Sequence, residues 1–193
     1  MEYTVLIEKF QLERIHPKSA IFDEKKLEWM NGQFFQLREP AYFLPLLKPL
    51  WEKAGANMDS FSEEYLLKVI GLLKERSKRL PEFVEFGLYF FVEPEHYDEK
   101  AKAKHFIPSN EALLNSLSEI LSAITDFTAG EIEASYRKFA ESTGRKPADL
   151  IHPTRLAISG VPFGPGLFEL MAVLGQEKVI RRLAKAAETI RLI

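Results

Sequence analysis

The stretch Arg155-Leu156-Ala157-Ile158-Ser159-Gly160, followed after a short gap by Gly164-Pro165-Gly166-Leu167-Phe168-Glu169-Leu170, decides how the chain is read. A helix-compatible run ends at a glycine, a Gly-Pro-Gly turn follows, and an apolar run resumes behind a proline. Glycine is favoured just past a helix C-terminus and proline at the start of the next helix, so the spacing predicts helix, tight turn, helix. Arg155 then lies close to a fresh helix N-terminus, and both favour anions and hydrogen-bond acceptors. Rigid corners on a helical scaffold are where recognition residues usually sit. Taken alone, Arg155 reads equally as an ordinary helix-surface arginine.

Helical periodicity continues outward from that corner. Asp23 is the expected N-cap of a helix with Leu27, Met30 and Phe34 on its stripe. Pro40 begins another, with Phe43, Leu46, Leu47, Leu50 and Trp51 on one face and Gly55 at its end; Pro45 and Pro49 inside it are expected to kink or split it. Ser60-Phe61-Ser62-Glu63 is a capping-box pattern opening a helix to about residue 78, striped by Leu66, Val69, Ile70 and Leu73. Pro81 restarts the chain into an aromatic-rich helix with Phe83, Phe86, Tyr89 and Phe90, broken by Pro94-Glu95-His96. Pro108-Ser109, Thr128-Ala129-Gly130-Glu131 and Pro147 open further helices, with Gly144 stopping the second of these. The last helix starts near Gln176, with Val179, Ile180, Leu183 and Ile190 inward and Lys178, Arg181, Arg182 and Lys185 outward. No segment alternates with period two for long enough to argue a sheet. The expected fold is all-α, two helical bundles joined near residue 95.

Composition narrows the chemistry. Of 193 residues 46% are hydrophobic, enough for a core. The chain has no cysteine, which removes disulfides, thiolate metal sites and a cysteine nucleophile and suits a reducing, cytoplasmic setting. His16, His96, His105 and His152 have no metal-ligand spacing, so no metal is expected. No segment approaches the roughly 20 apolar residues of a membrane span, and Met1-Glu2-Tyr3-Thr4 does not begin a signal peptide, so no membrane partner is expected. The formal net charge of −2 means that any nucleic-acid contact must come from a local basic face.

No glycine-rich phosphate cradle is present, since Gly164-Pro165-Gly166 follows a helix and its proline lacks an amide donor. Glu131, Glu133 and Glu141 read as solvated helix surface, and no nucleophile–base pair stands out, so no catalytic residue is assigned. Lys74-Glu75-Arg76-Ser77-Lys78-Arg79 reads first as a cationic helix end complementing the helix dipole. Arg76, however, lies three residues after Leu73 and continues the apolar stripe. There it either covers a core edge with its stem or projects into a groove between the bundles.

Several separated motifs together resemble one family. Leu6-Ile7-Glu8-Lys9-Phe10, Leu12-Glu13-Arg14-Ile15, the run Phe22 to Gly32, Leu73-Lys74-Glu75-Arg76 and Tyr89-Phe90-Phe91 are similar to bacterial-type glutamyl-tRNA synthetases. Pro153-Thr154-Arg155-Leu156-Ala157-Ile158-Ser159-Gly160, with Gly164 to Leu170 and then Leu174-Gly175-Gln176-Glu177-Lys178-Val179, resembles that family's C-terminal signature. The resemblance runs over essentially the whole chain. It implies a helical anticodon-binding cage in two subdomains, 39–97 and 98–193, behind the tail of a stem-contact domain, 1–38.

It further implies that Arg76 reads the third anticodon base, which separates glutamate from glutamine tRNA. Arg155, with Gly164, Pro165 and Leu167, is implied to surround the other anticodon bases. Thr154 stands where an apolar residue is common in the family, and a glycine at 164 offers backbone only. The family's adenylate-forming half, with its His-Ile-Gly-His and Lys-Met-Ser-Lys-Ser motifs, is missing. The chain is therefore expected to be an inactive C-terminal portion of the enzyme, with ATP and magnesium belonging to the absent half. The implied partners are the tRNA(Glu) anticodon loop and the N-terminal catalytic domain, without DNA. The competing readings are a helical protein-interaction scaffold and a natural stand-alone paralogue.

Overall fold

The computed structural model describes residues 3–15 and 21–192, so His16 lies outside the described residues. They form eleven α-helices and no strand: α1 (Tyr3–Lys9), α2 (Glu24–Leu37), α3 (Pro40–Lys53), α4 (Glu63–Lys74), α5 (Leu80–Glu85), α6 (Glu99–His105), α7 (Ser109–Ser122), α8 (Ala129–Thr143), α9 (Pro147–Ser159), α10 (Leu167–Leu174) and α11 (Gln176–Arg191). Short 3-10 turns cover Leu12–Arg14, Met58–Ser60 and Leu88–Phe90. The all-α expectation holds. α6 is an element that the sequence reading passed over; Asp98 caps it by accepting from the Ala101 amide at 2.8 Å.

Most helix boundaries follow local chemistry. Asp23 accepts from the Lys26 amide, and Thr128 from the Glu131 amide, each filling an orphan donor of a first turn. Gly144 ends α8 at φ +65°, in the left-handed region that glycine enters without a Cβ clash.

Several expectations about helix limits need refinement. α3 does not split at Pro45 and Pro49. These prolines are four residues apart on its exposed face, and the carbonyls they leave without donors, those of Ala41 and Pro45, belong to exposed residues that water can reach. The cap of α4 is Ser62, which accepts from the Tyr65 amide at 3.3 Å, while Ser60 lies in the preceding 3-10 turn. α4 also ends at Lys74, where the Arg76 and Ser77 amides both turn back to the Leu73 carbonyl. The aromatic helix after Pro81 breaks at Phe86–Gly87, where Gly87 lies so close to the Leu73 side chain and the Phe83 carbonyl that no Cβ would fit.

The stripe of α2 lies elsewhere than expected. Phe35 is its buried residue, against Phe43 and Phe83, whereas Leu27, Trp29 and Met30 are exposed. The helix is held to the α4–α5 turn instead by polar contacts. Asn31 Nδ2 donates to the Lys78 carbonyl. Lys74 Nζ donates to the carbonyls of Gln36 and Arg38 at 3.4 and 2.9 Å, capping the C-terminal end of α2. The cationic end of α4 therefore serves its neighbour.

The buried residues form one continuous cluster. α11 packs along α7 and against α9 and α10, and α10 reaches across to α4. The largest departure from expectation is Arg182, which points inward and is 2% exposed. Its Nη1 donates to the Ile158 carbonyl at 2.6 Å and its Nη2 to the Tyr89 carbonyl at 2.9 Å. Nε and Nη2 each meet the Glu93 carboxylate at 3.1 Å, and Arg181 binds the same carboxylate at 2.5 Å. One guanidinium thus ties together α11, α9 and the segment after α5. Guanidinium is suited to such a position because its donors are fixed in a planar fork.

Burial raises the Glu93 carboxyl pKa, but hydrogen bonds and charge from Arg182 and Arg181 outweigh it and hold the group below its ordinary value of 4.5. A depressed carboxylate contributes stability that is present above its unfolded-state pKa and is lost as pH falls through the folded one. Acid unfolding is therefore expected to steepen below about pH 4.5, and Glu93→Gln flattens that limb. Arg182→Leu leaves the Ile158 and Tyr89 carbonyls without that donor and Glu93 with Arg181 alone, and lowers the unfolding free energy by about 3 kcal/mol, read from denaturant titrations.

Candidate nucleic-acid interface

The Arg155 corner is built from three directions. α9 ends at Gly160, φ +78°, which is pressed so tightly against the chain after the 3-10 turn that a Cβ would meet the His96 carbonyl at 2.8 Å and Pro94 Cβ at 3.1 Å. The Asp98 amide donates to the Gly160 carbonyl at 2.8 Å. Ser159 Oγ donates to the carbonyls of Arg155 and Val161 and accepts from the Val161 amide, so the turn leaves α9 in a fixed direction. Thr154 is also accounted for: it is fully buried, its hydroxyl donates to the Leu150 carbonyl, and it bonds to the Tyr136 hydroxyl at 3.0 Å.

The family-implied residues occupy three kinds of position. Arg155, half-buried, and Gly164 come together with Tyr89. A Cβ on Gly164 would sit 3.0 Å from the Tyr89 hydroxyl oxygen and 3.5 Å from Arg155 Nη1, and Gly164 has φ +136°. Arg76 is exposed in the turn after α4, with its charge close enough to act on Arg155. Pro165 and Leu167 have buried side chains, Leu167 being the first residue of α10 and part of the core. They shape the corner from beneath. Phe163, 47% exposed, rests edge-on against Phe86 with ring centres 5.4 Å apart and leaves a face to solvent.

Polar satisfaction sets this region apart. Among the described residues, the buried side-chain polar atoms with no hydrogen-bond partner are Ser77 Oγ, Tyr89 Oη and Arg155 Nη1. Buried polar groups are normally paired, and an unpaired one costs about 1–3 kcal/mol. Two of the three meet at Gly164, and the third adjoins Arg76 in the chain.

Burial lowers the Arg155 pKa, Arg76 adds to the effect, and Tyr89 and Glu169 oppose it. Burial pushes the Tyr89 phenol well above its ordinary range, against a smaller pull from Arg155 and Arg182, so its O–H stays available as a donor. The corner thus holds two donors without partners, closed off from solvent until the corner opens, beside an exposed aromatic ring. It has the means to hold hydrogen-bond acceptors and stack a planar group.

Tyr89 and Phe163 did not stand out in the sequence as site residues. The one available signal was a phenol inside the buried aromatic run Tyr89-Phe90-Phe91, since a buried tyrosine hydroxyl ordinarily needs a partner. In contrast, Tyr65 has one, donating to the Phe90 carbonyl at 3.1 Å.

An all-helical cage with a rigid arginine corner defines a class of recognition module, and comparison with known proteins places the chain within it. Residues 42–187 match the family model of the anticodon binding domain. The chain belongs to that family, and its homologues are glutamate–tRNA ligases. It is 42% identical to the glutamate–tRNA ligase of Chlorobaculum parvum over 97% of its own length, and 40% identical to that of Moorella thermoacetica over 96%. In each case it spans 39% of the relative's length. A crystal structure of a glutamate tRNA ligase from Elizabethkingia meningosepticum, in complex with its amino acid, superposes on 96% of this chain and 36% of that one, with a TM-score of 0.83 and 34% identity.

Two substitutions separate the roles of the corner. Tyr89→Phe removes an unpartnered hydroxyl and should leave thermal stability unchanged or slightly raised while weakening ligand binding at the corner. Gly164→Ala places a Cβ at φ +136° against Tyr89 and Arg155. It is expected to destabilise the protein by about 1–3 kcal/mol through backbone strain. Melting curves beside binding titrations read both effects.

Proposed function

We propose that this chain is the tRNA-reading module of a glutamate–tRNA ligase and selects tRNA(Glu) through its anticodon loop. The observation that carries this reading is the pair of unpartnered donors, Arg155 Nη1 and Tyr89 Oη, meeting at Gly164 in a member of the anticodon-binding family. RNA loops are recognised by splaying bases out, stacking them on aromatic or guanidinium planes and hydrogen-bonding their edges. The corner supplies those elements. Arg76, exposed on the neighbouring turn, takes the third anticodon base by a forked hydrogen bond and separates glutamate from glutamine tRNA. Arg155 and Tyr89 take acceptors of the other loop bases, and Phe163 offers a stacking face.

In this reading the chain performs no chemistry. The catalytic half of the enzyme joins glutamate to the tRNA with ATP and magnesium, and both halves act in the cytoplasm. No described helix is long and apolar enough to cross a membrane.

Binding of glutamate and glutamine anticodon stem-loops tests the reading. Arg76→Ala is expected to cost about 1–3 kcal/mol of discrimination between the two loops. Equal weakening for both would remove Arg76 as the discriminator. Affinity for the wild-type chain should fall steeply as salt rises, because phosphate contacts release counterions. A salt-insensitive profile would instead favour a protein-interaction scaffold.

A further inference from the structure

A second basic pocket lies at the other end of α9. Its cavity of about 340 Å³ is formed where the last turn of α6, the first turns of α7 and α9, and the turn after α8 converge. His105 and His152 stack on one another in its lining, with ring centres 5.4 Å apart and planes inclined by 19°. Lys104 and Arg145 add two fixed cations, and Asp149 is the one carboxylate among the lining residues. Ser109 and Asn110 complete the α7 side, where Asn110 Nδ2 is already committed to the His105 carbonyl at 2.8 Å.

The arrangement suits an oxyanion. Two near-parallel imidazoles at this distance repel when both are protonated, and Lys104 and Arg145 line the same pocket. Burial holds His105 below its ordinary value of 6.5, with His152 and then Lys104 adding to the effect. A dianion or phosphodiester in the pocket, at the ring edges, would reverse the balance, since each protonated imidazole gains a partner for the N–H donors in its ring plane. The partially positive N-terminal turns of α7 and α9 act in the same direction. Asp149 alone opposes.

We propose that this pocket is a phosphate-binding site that takes a backbone phosphate of the RNA strand held at Arg155. The RNA part of the statement rests on the tRNA-binding reading above; the phosphate part stands on the pocket itself. The two sites share a helix. His152 and Arg155 are three residues apart on α9, which makes them neighbours on its surface. A strand engaged at Arg155 is thus led past the imidazoles.

The test uses the full 193-residue chain and follows the imidazole resonances by NMR through a pH titration, alone, with inorganic phosphate, and with a glutamate anticodon stem-loop. Both additions are expected to raise the titration midpoints of His105 and His152, and stem-loop affinity should strengthen up to about tenfold as pH falls through roughly 6.5. His105→Gln with His152→Gln removes that rise and leaves the preference for glutamate over glutamine loops intact. Lys104→Ala with Arg145→Ala, which keeps both rings, weakens phosphate at every pH.

Midpoints that inorganic phosphate does not move would overturn the site. Midpoints moved by inorganic phosphate but not by a bound stem-loop would overturn the RNA assignment and leave a free-phosphate pocket. If the wild-type chain retains no stem-loop, the tRNA reading fails, and the inorganic phosphate titration still decides the pocket.

Discussion

The buried guanidinium of Arg182 is the constraint on which the architecture depends. It is closed in by the Ile158 and Tyr89 carbonyls and the Glu93 carboxylate, so three stretches far apart in sequence share one set of donors. A charge placed in the interior is tolerated only when its partners are in place. The ends of α9, α11 and the 3-10 turn must therefore assemble together. Tyr89 carries the geometric consequence. Its backbone is fixed by Arg182 while its hydroxyl reaches the Arg155–Gly164 corner, so the clasp that holds the helices also sets the position of a donor in the candidate site.

The corner is the inverse case. Arg182 has partners on every side, whereas Arg155 Nη1 and Tyr89 Oη have none within the described residues. The same protein satisfies one buried arginine fully and leaves a donor of the other unspent only a few residues along α9. The surroundings of that donor are rigid: Gly160 is pinned to the 94–98 segment and Ser159 braces the turn.

The sequence carried much of the helical layout because its signals are local. Asp23, Thr128, Gly144 and Pro147 act within one turn of their own position, and each can be read without knowing the fold. What was hidden depends on distant partners. Ser62 rather than Ser60 caps α4, and the aromatic helix stops at a glycine against which Leu73 packs, which no local pattern reveals. Arg182 sits in a helix rich in lysine and arginine, where nothing distinguishes it from Arg181 until the carbonyls of Ile158 and Tyr89 are in view. At the corner, Arg155 and Gly164 were legible through the family resemblance. Tyr89 was not legible as a site residue, because an unpaired hydroxyl is a property of three-dimensional surroundings.

The capping of α2 by Lys74 has a mechanical meaning. Lys74 belongs to α4, yet its ammonium closes the end of a helix whose capped carbonyls lie 38 and 36 residues earlier in the chain, and which packs against the same turn through Asn31. Arg76 follows two residues later. The exposed arginine therefore follows closely on a residue tied to α2 by side-chain bonds to backbone carbonyls. A shift of α2 would thus be transmitted to the turn that carries Arg76, so the placement of that turn depends on α2 as well as on its own bundle.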